Sequence, residues 1–276
     1  MSNLISKLTF CFGPRIPGLL AWLLYSIWAF PGNLYSAVTF LFNPYLYKIS
    51  FFQKFSLLLK FYRASLRVHC LHQQSEMIKV ASAILSLPPD LTGCVVEAGT
   101  YKGGSAIKLS LACRISGRKL MVFDSFAGLP EDDEFQCQPS SKFFPGDCAQ
   151  KSKFSGQNLC GSLEEVKDNV KKFGAFDNCQ FVRGWFKDTL PDFKEKIAVI
   201  YLDVDLASSV KTCLKYLYPL LEENGVIFSH DGCFFSVIKL FNDNRFWEDT
   251  LGVRKPLITG LNKDKLIKIV KTTKAQ

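Results

Sequence analysis

Five short apolar runs in this chain each stop at residue types able to do chemistry. "CVVEAG" ends at Glu97 and Gly99 and is followed by Tyr101, Gly103, Gly104 and Ser105. "KLMVFD" ends at Asp124, with Ser125 next, and "CQFVRG" ends at Gly184, with Trp185 next. "IAVIYLD" ends at Asp203, with Asp205 two residues on, and "GVIFSHD" ends at His230 and Asp231. Four of the five ends therefore carry acids. Buried strand ends do not collect carboxylates for packing, because an unpaired charge there is costly.

The glycines after the first run let a backbone approach a ligand closely. They are spaced G-x-x-x-G-G rather than G-x-G-x-x-G, so a pyrophosphate is not the obvious guest. An acid at Asp124, about 20 residues past the turn, is placed to accept two ribose hydroxyls. Glu97 would repel phosphate but suits a cationic, amino-bearing ligand. A nucleoside with a positive sulfonium and an α-amino group, S-adenosylmethionine, satisfies both acids. Plainer readings stand beside these. The glycines can form an ordinary tight turn, Asp205 can cap the helix that follows, Trp185 can simply cover the core, and His230 can be a satisfied structural histidine. Asp203 has no packing reason to follow "IAVIYL".

The elements that must position these residues alternate. Helices are expected over Met77–Leu85, Gly104–Cys113, from Ser162 to Phe173, over Ser208–Leu221 and over Val237–Trp247, with the five runs as strands between them. Ser162 and Glu165 form a capping-box pattern. "PLITGLNKDKLIKIVK" reads as two strands joined by a turn. Strands alternating with helices imply an α/β fold with a mostly parallel sheet covered on both faces, whose ligands bind beyond the carboxyl ends of the strands.

"VVEAGTYKGGSA", "VFDSFAGLPE", "FVRGWFKDTLP" and "IYLDVDLASSVKTCLKYLYPLLEENGVIFSHD" together resemble the macrocin O-methyltransferase family over roughly Gly93 to Trp247. The resemblance implies a Rossmann-like class I methyltransferase sheet, S-adenosylmethionine as cofactor and a hydroxyl on a sugar or similar small polar or lipid-linked molecule as acceptor. By position it assigns Glu97, Gly99, Tyr101 and Ser105 to the methionine and ribose side, Asp124 to the ribose hydroxyls, and Gly184 to Lys187 to the adenine. It makes Asp203 a metal ligand and Asp205 the general base. The family ends its fifth strand in two aspartates that complete the metal site, where this chain has His230-Asp231, so the resemblance implies a metal held by Asp203 and Asp231 with or without His230. Mg²⁺ favours oxygen ligands and imidazole suits Mn²⁺ or Zn²⁺ better, which leaves open a different divalent metal, a His230 that serves as base instead of ligand, or no metal. The alternative reading is a membrane-bound binding or scaffolding protein that kept the cofactor fold without catalysis.

The first 72 residues differ from the expected catalytic domain, residues 73–276. No charged residue occurs from Ile16 to Tyr47, yet "FPGN" at Phe30 to Asn33 divides the stretch into pieces short for a membrane span. A weakly basic start with no small-residue cleavage site disfavours a signal peptide. The stretch reads as an interfacial hairpin, a buried oligomerisation arm or lid, or a membrane anchor. Phe51 to Val68 mixes Phe and Leu with Lys54, Lys60, Arg63 and Arg67, a basic amphipathic helix that inclines the reading toward contact with the cytoplasmic membrane face. His69 and His72 read as exposed. The net charge of +9 has no zinc-knuckle, arginine-rich block or RNA-recognition signature beside it, so no nucleic-acid partner is expected. Ten cysteines without a C-x-x-C pair suit a reducing, cytoplasmic setting. Cys137, Cys148 and Cys160, and the acidic run Glu131 to Glu134, fall in a polar loop.

Overall fold

The computed structural model describes residues 32–130 and 160–272. Residues 32–42 are helical, followed by α1 (Phe51–Arg67), α2 (Gln74–Ser86), β1 (Cys94–Ala98), α3 (Gly104–Ser116) and β2 (Leu120–Asp124). Then come α4 (Leu163–Phe173), β3 (Cys179–Arg183), the short α5 (Phe186–Thr189), β4 (Ile197–Leu202), α6 (Ala207–Leu217), β5 (Leu221–Ser229) and α7 (Phe235–Asn242). β6 (Ile258–Thr259) and β7 (Ile267–Val270) close the chain as the expected antiparallel pair. The acidic run, Cys137 and Cys148 lie outside the described residues.

β1, β2 and β4 are almost wholly apolar and buried on both faces, which suits central parallel strands. The sheet order is β3-β2-β1-β4-β5-β7-β6, with β7 the antiparallel member beside β5. One core lies between the sheet and α1 to α4, and includes Phe61, Met77, Ile107 and Val166. The other lies on the opposite face under α6 and α7 and is filled by Trp247, whose indole N–H donates to the Phe241 carbonyl at 3.0 Å. α3 is buried from Gly104 to Cys113, so it runs as an inner helix between sheet and neighbours. The residues from 51 to 68 thus share a core with the sheet. Among the described residues no helix is long and apolar enough to cross a membrane.

Three expectations change in detail. The helix expected to run to Leu221 ends at Leu217, and β5 starts at Leu221, which pairs with Ile197 before an irregularity over Glu222 to Gly225 and regular pairing from Val226. The helix expected through Trp247 ends at Asn242, and a π-helical turn over Phe246–Thr250 seats the indole. Ser162 caps α4 by accepting from the Glu165 N–H at 3.1 Å, while the Glu165 carboxylate turns to Lys102 at 3.3 Å instead of completing the box.

Register decides where the chemistry sits. Ala98 pairs with both Phe123 and Leu202, and Leu202 pairs with Ser229. The next residues, Gly99, Asp124, Asp203 and His230, therefore emerge side by side along one edge. Gly99 has φ +84°, and a Cβ there would fall on the Asp203 carbonyl. Gly99→Ala is expected to cost about 1–3 kcal/mol from the left-handed backbone alone, with the clash adding to it. An undiminished urea midpoint would show that this contact does not constrain the strand ends.

Candidate active site

A cleft opens over the strand ends and is lined by Gly99, Tyr101, Ser105, Asp124, Ser125, Gly184, Trp185, Asp203 and Asp205, among others. Three of the turns around it hold non-glycine residues at positive φ: Tyr101 at +47°, Phe126 at +52° and Asp205 at +62°. Such strain persists only where the surroundings enforce it, and it clusters at functional sites.

Behind the first turn Glu97 is fully buried, and neither carboxylate oxygen has a hydrogen-bond partner. Burial pushes it up to about 8; the nearby Ser105 and Thr100 hydroxyls, outside hydrogen-bond geometry, temper the rise, and the charges of Asp203 and Asp124 add to it. Asp124 accepts the Thr100 N–H through one oxygen at 2.7 Å and the Phe126 N–H through the other at 2.6 Å. Burial raises this carboxyl and those backbone donors restrain it. Asp124 lines the cleft, and a carboxylate oxygen can accept more than one donor. Ser125 spends its hydroxyl on its own turn, donating to the Gly128 carbonyl at 2.8 Å. The Gly184 N–H donates to the Asp124 carbonyl at 3.0 Å, and Trp185 stands 38% exposed at the start of α5.

The remaining glycines also serve the protein's own packing, and Gly104 lines the cleft as well. Gly103 has φ +84° and starts α3, facing Val166. Gly104 leaves room for Cys70, whose sulfur occupies the space a Cβ would need. That contact brings residues 69–72 over the helix start, so His72 is buried and not exposed as expected, while His69 is exposed. His72 Nε2 shares a 2.7 Å hydrogen bond with Lys108 Nζ, which also donates to Ser65 Oγ at 2.7 Å. Burial and the neighbouring Lys108 push His72 well down, and burial lowers Lys108 to about 8.

Asp203, Asp205 and Asp231 converge, with one oxygen of each lying within 4.8 Å of the others. Asp231 accepts the Val204 N–H at 3.2 Å through Oδ2, while its Oδ1 is buried without a partner. Burial, then Asp205 and Asp203, push Asp231 well up; burial and Asp203 raise Asp205 to about 6.

His230 stands outside this trio. Its Nδ1 meets Asp203 Oδ1 at 3.0 Å and its Nε2 meets Glu76 Oε2 at 3.0 Å. Burial disfavours the charged ring, but the two carboxylates overcome it and raise His230 to about 9. Both ring nitrogens are thus engaged by carboxylates, an arrangement that favours the charged ring in the metal-free protein. Asp203 is held below the usual carboxylate range because the His230 charge outweighs burial, and Glu76 likewise. The reading of His230 as ligand or base thus meets a ring already committed at both ends.

Glu76 is the participant that sequence reasoning missed. It also accepts the Gln73 N–H at 2.6 Å, so its position looks like an ordinary helix cap. One signal was present: Glu76 is the first acid in the chain. Lys265, in the turn before β7, lines the cleft and bonds the Leu71 carbonyl at 3.4 Å; nothing distinguished it among the lysines around it.

The family described as macrocin-O-methyltransferase (TylF) matches residues 72–259. The chain is 33% identical over 150 residues to the 8-demethyl-8-(2,3-dimethoxy-alpha-L-rhamnosyl)-tetracenomycin-C 4'-O-methyltransferase of Streptomyces olivaceus, covering 52% of this chain and 55% of that one. It is 30% identical over 155 residues to the mycinamicin III 3''-O-methyltransferase of Micromonospora griseorubida, covering 54% and 58%. The matches span about half the length of these curated relatives. Among solved structures, the O-methyltransferase NovP superposes with a TM-score of 0.59 at 24% identity over 74% of this chain and 82% of that one. The calicheamicin methyltransferase CalS11 gives 0.54 at 15% over 87% and 91%. The fold is that of class I methyltransferases. With the strand-end acids in place and the family match running through all five of them, the chain belongs to the macrocin-O-methyltransferase family.

Proposed function

We propose that the protein is an S-adenosylmethionine-dependent O-methyltransferase acting on a hydroxyl of a sugar or other polar natural product. The observation that carries this reading is the buried Glu97 with two unpartnered oxygens behind the glycine turn, next to Asp124 on the cleft wall. A cationic nucleoside fits that pair, and an anionic pyrophosphate does not. When bound, S-adenosylmethionine supplies a methyl group already activated by its positive sulfur.

The chain's own residues then have three tasks. Asp124 orients the nucleoside through its carboxylate oxygens. Tyr101, Trp185 and the strained turns around them narrow the cleft and exclude water, which matters because alignment of the acceptor oxygen supplies much of the rate. With no cation in the trio, Asp205, raised to about 6 and on the cleft wall, takes the acceptor's proton. The Glu76–His230–Asp203 chain holds Asp203 ionised and oriented.

Asp203, Asp205 and Asp231 fit a hard divalent cation such as Mg²⁺ or Mn²⁺, since all donors are oxygens and the orphaned Asp231 Oδ1 lacks any other partner. The cation would supply Lewis acidity to the acceptor oxygen. The all-oxygen trio, with His230 engaged by two other carboxylates, favours these hard cations over a metal that prefers imidazole.

Calorimetry is expected to detect binding of S-adenosylmethionine and none of NAD, and isotopically labelled donor should transfer its methyl to a glycosylated acceptor. Asp124→Ala is expected to weaken donor binding by about tenfold to a hundredfold, the range for losing hydrogen bonds to a charged group. Binding of NAD without S-adenosylmethionine would defeat the assignment.

A further inference from the structure

The N-terminal helices carry a surface that the methyl-transfer site does not use. Along α1, Phe51, Phe52, Phe55, Leu59, Tyr62 and Leu66 are all exposed, Phe52 to 81%. At about 100° per residue these six fall within a single arc roughly 100° wide. The opposite side of the same helix, Leu57, Leu58, Phe61 and Ala64, is sealed in the core. α1 is therefore apolar on two faces, and among the described residues only one of them is covered. The helical stretch 32–42 extends the uncovered face with Tyr35 at 75% and Phe42 at 73% exposure. Phe42 and Phe51 touch with ring centroids 5.8 Å apart. Lys54 fixes the two helices together from beneath, donating to the Leu41 carbonyl at 2.6 Å and the Asn43 carbonyl at 2.8 Å.

Charge identifies the occupant. Lys60, Arg63 and Arg67 are exposed and occupy the arc next to the apolar one on α1. The first 75 residues hold no Asp or Glu at all, against Lys7, Arg15, Lys48, Lys54, Lys60, Arg63 and Arg67. Most of the chain's net charge of +9 is thus gathered in little more than a quarter of its length. A second copy docked on this face would set basic row against basic row, with no acid among the first 75 residues to answer it. A bilayer bearing anionic headgroups meets both demands at once, hydrocarbon for the aromatic arc and phosphate for the basic one.

We propose that α1, with the helix before it, seats the protein on an anionic membrane surface, its aromatic arc in the headgroup boundary and its basic row against lipid phosphates. The helix lies on the membrane and does not span it.

The test is flotation of the full chain with phosphatidylcholine vesicles, with and without phosphatidylserine. The protein is expected to float with the anionic vesicles, to float less with the neutral ones, and to be released by salt. A Phe52→Ser/Leu59→Ser variant should lose binding by roughly tenfold or more, given the apolar area withdrawn. Lys60→Glu/Arg63→Glu should lose the preference for phosphatidylserine. All four positions are exposed, and thermal melts equal to wild type would show that the fold is intact. A wild-type chain that stays with the soluble fraction overturns the proposal. So does equal flotation of wild type and the Phe52→Ser/Leu59→Ser variant. A dimer that these substitutions dissociate, without flotation, overturns it in favour of a second copy. None of these readouts depends on methyl transfer.

Discussion

Replacing His230 by alanine is expected to cost the metal-free protein about 3–5 kcal/mol of folding stability, the range for removing one member of a buried ion pair. The cost is large because Glu76 and Asp203 would then face each other's field with no cation between them, and Glu76 is nearly as buried as the ring. Glu76→Gln should cost much less, because the amide oxygen can still accept from the ring while Asp203 retains its charge partner. The pH dependence has a definite sign. His230 is raised from its ordinary value near 6.5 to about 9, so its contribution is complete below about pH 6.5 and fades as pH rises through about 9. Urea unfolding of wild type and His230→Ala should therefore converge between about pH 7 and pH 10. Parallel curves across that window would mean that the ring is neutral in the fold.

The second large effect concerns the aspartate trio. Asp231→Asn is expected to lower methyl transfer by about 10²–10⁴-fold, the scale of losing metal or acid–base assistance. Added Mg²⁺ or Mn²⁺ should raise the melting temperature of wild type but not of that variant, and a chelator should abolish turnover. Asp205→Asn separates stability from activity. Its carboxyl is raised to about 6, which means its charge opposes folding above that pH. Without metal, the Asn variant should be more stable at neutral pH by about 1–2 kcal/mol, allowing for solvent screening, yet should be slow. Asparagine also tolerates the φ of +62° at this position, so the backbone does not confuse the result. Full activity in chelator, together with an active Asp205→Asn, would leave a metal-free enzyme with a different base.

The sheet was legible in the sequence because β1, β2 and β4 are continuous apolar runs, a pattern that only a twice-covered parallel strand satisfies. The acids at their ends were legible for the complementary reason, since nothing in packing explains them. The start of β5 was not, because Glu222, Glu223 and Asn224 mimic a turn. Glu76 was hidden because a capping acid and a counterion have the same local pattern; only the return of β5 beside α2 distinguishes them. The state of His230 was equally out of reach, for it depends on carboxylates 27 and 154 residues away in sequence. His72 was misread because its burial comes from Cys70 sitting over Gly104, a contact no periodicity encodes.

The alignment of Ala98, Leu202 and Ser229 at one level bears on how such a protein can change its substrate. Deleting one residue inside β4 would turn Asp203 to the opposite face and dismantle the site, since side chains alternate along a strand. Lengthening the turn after Asp124, where Gly128 and Leu129 reach the cleft, would move that part of the cleft wall and leave the strand ends in place. The positions of the strand-end acids are thereby fixed by strand register, while the loops that line the cleft can change length without moving them.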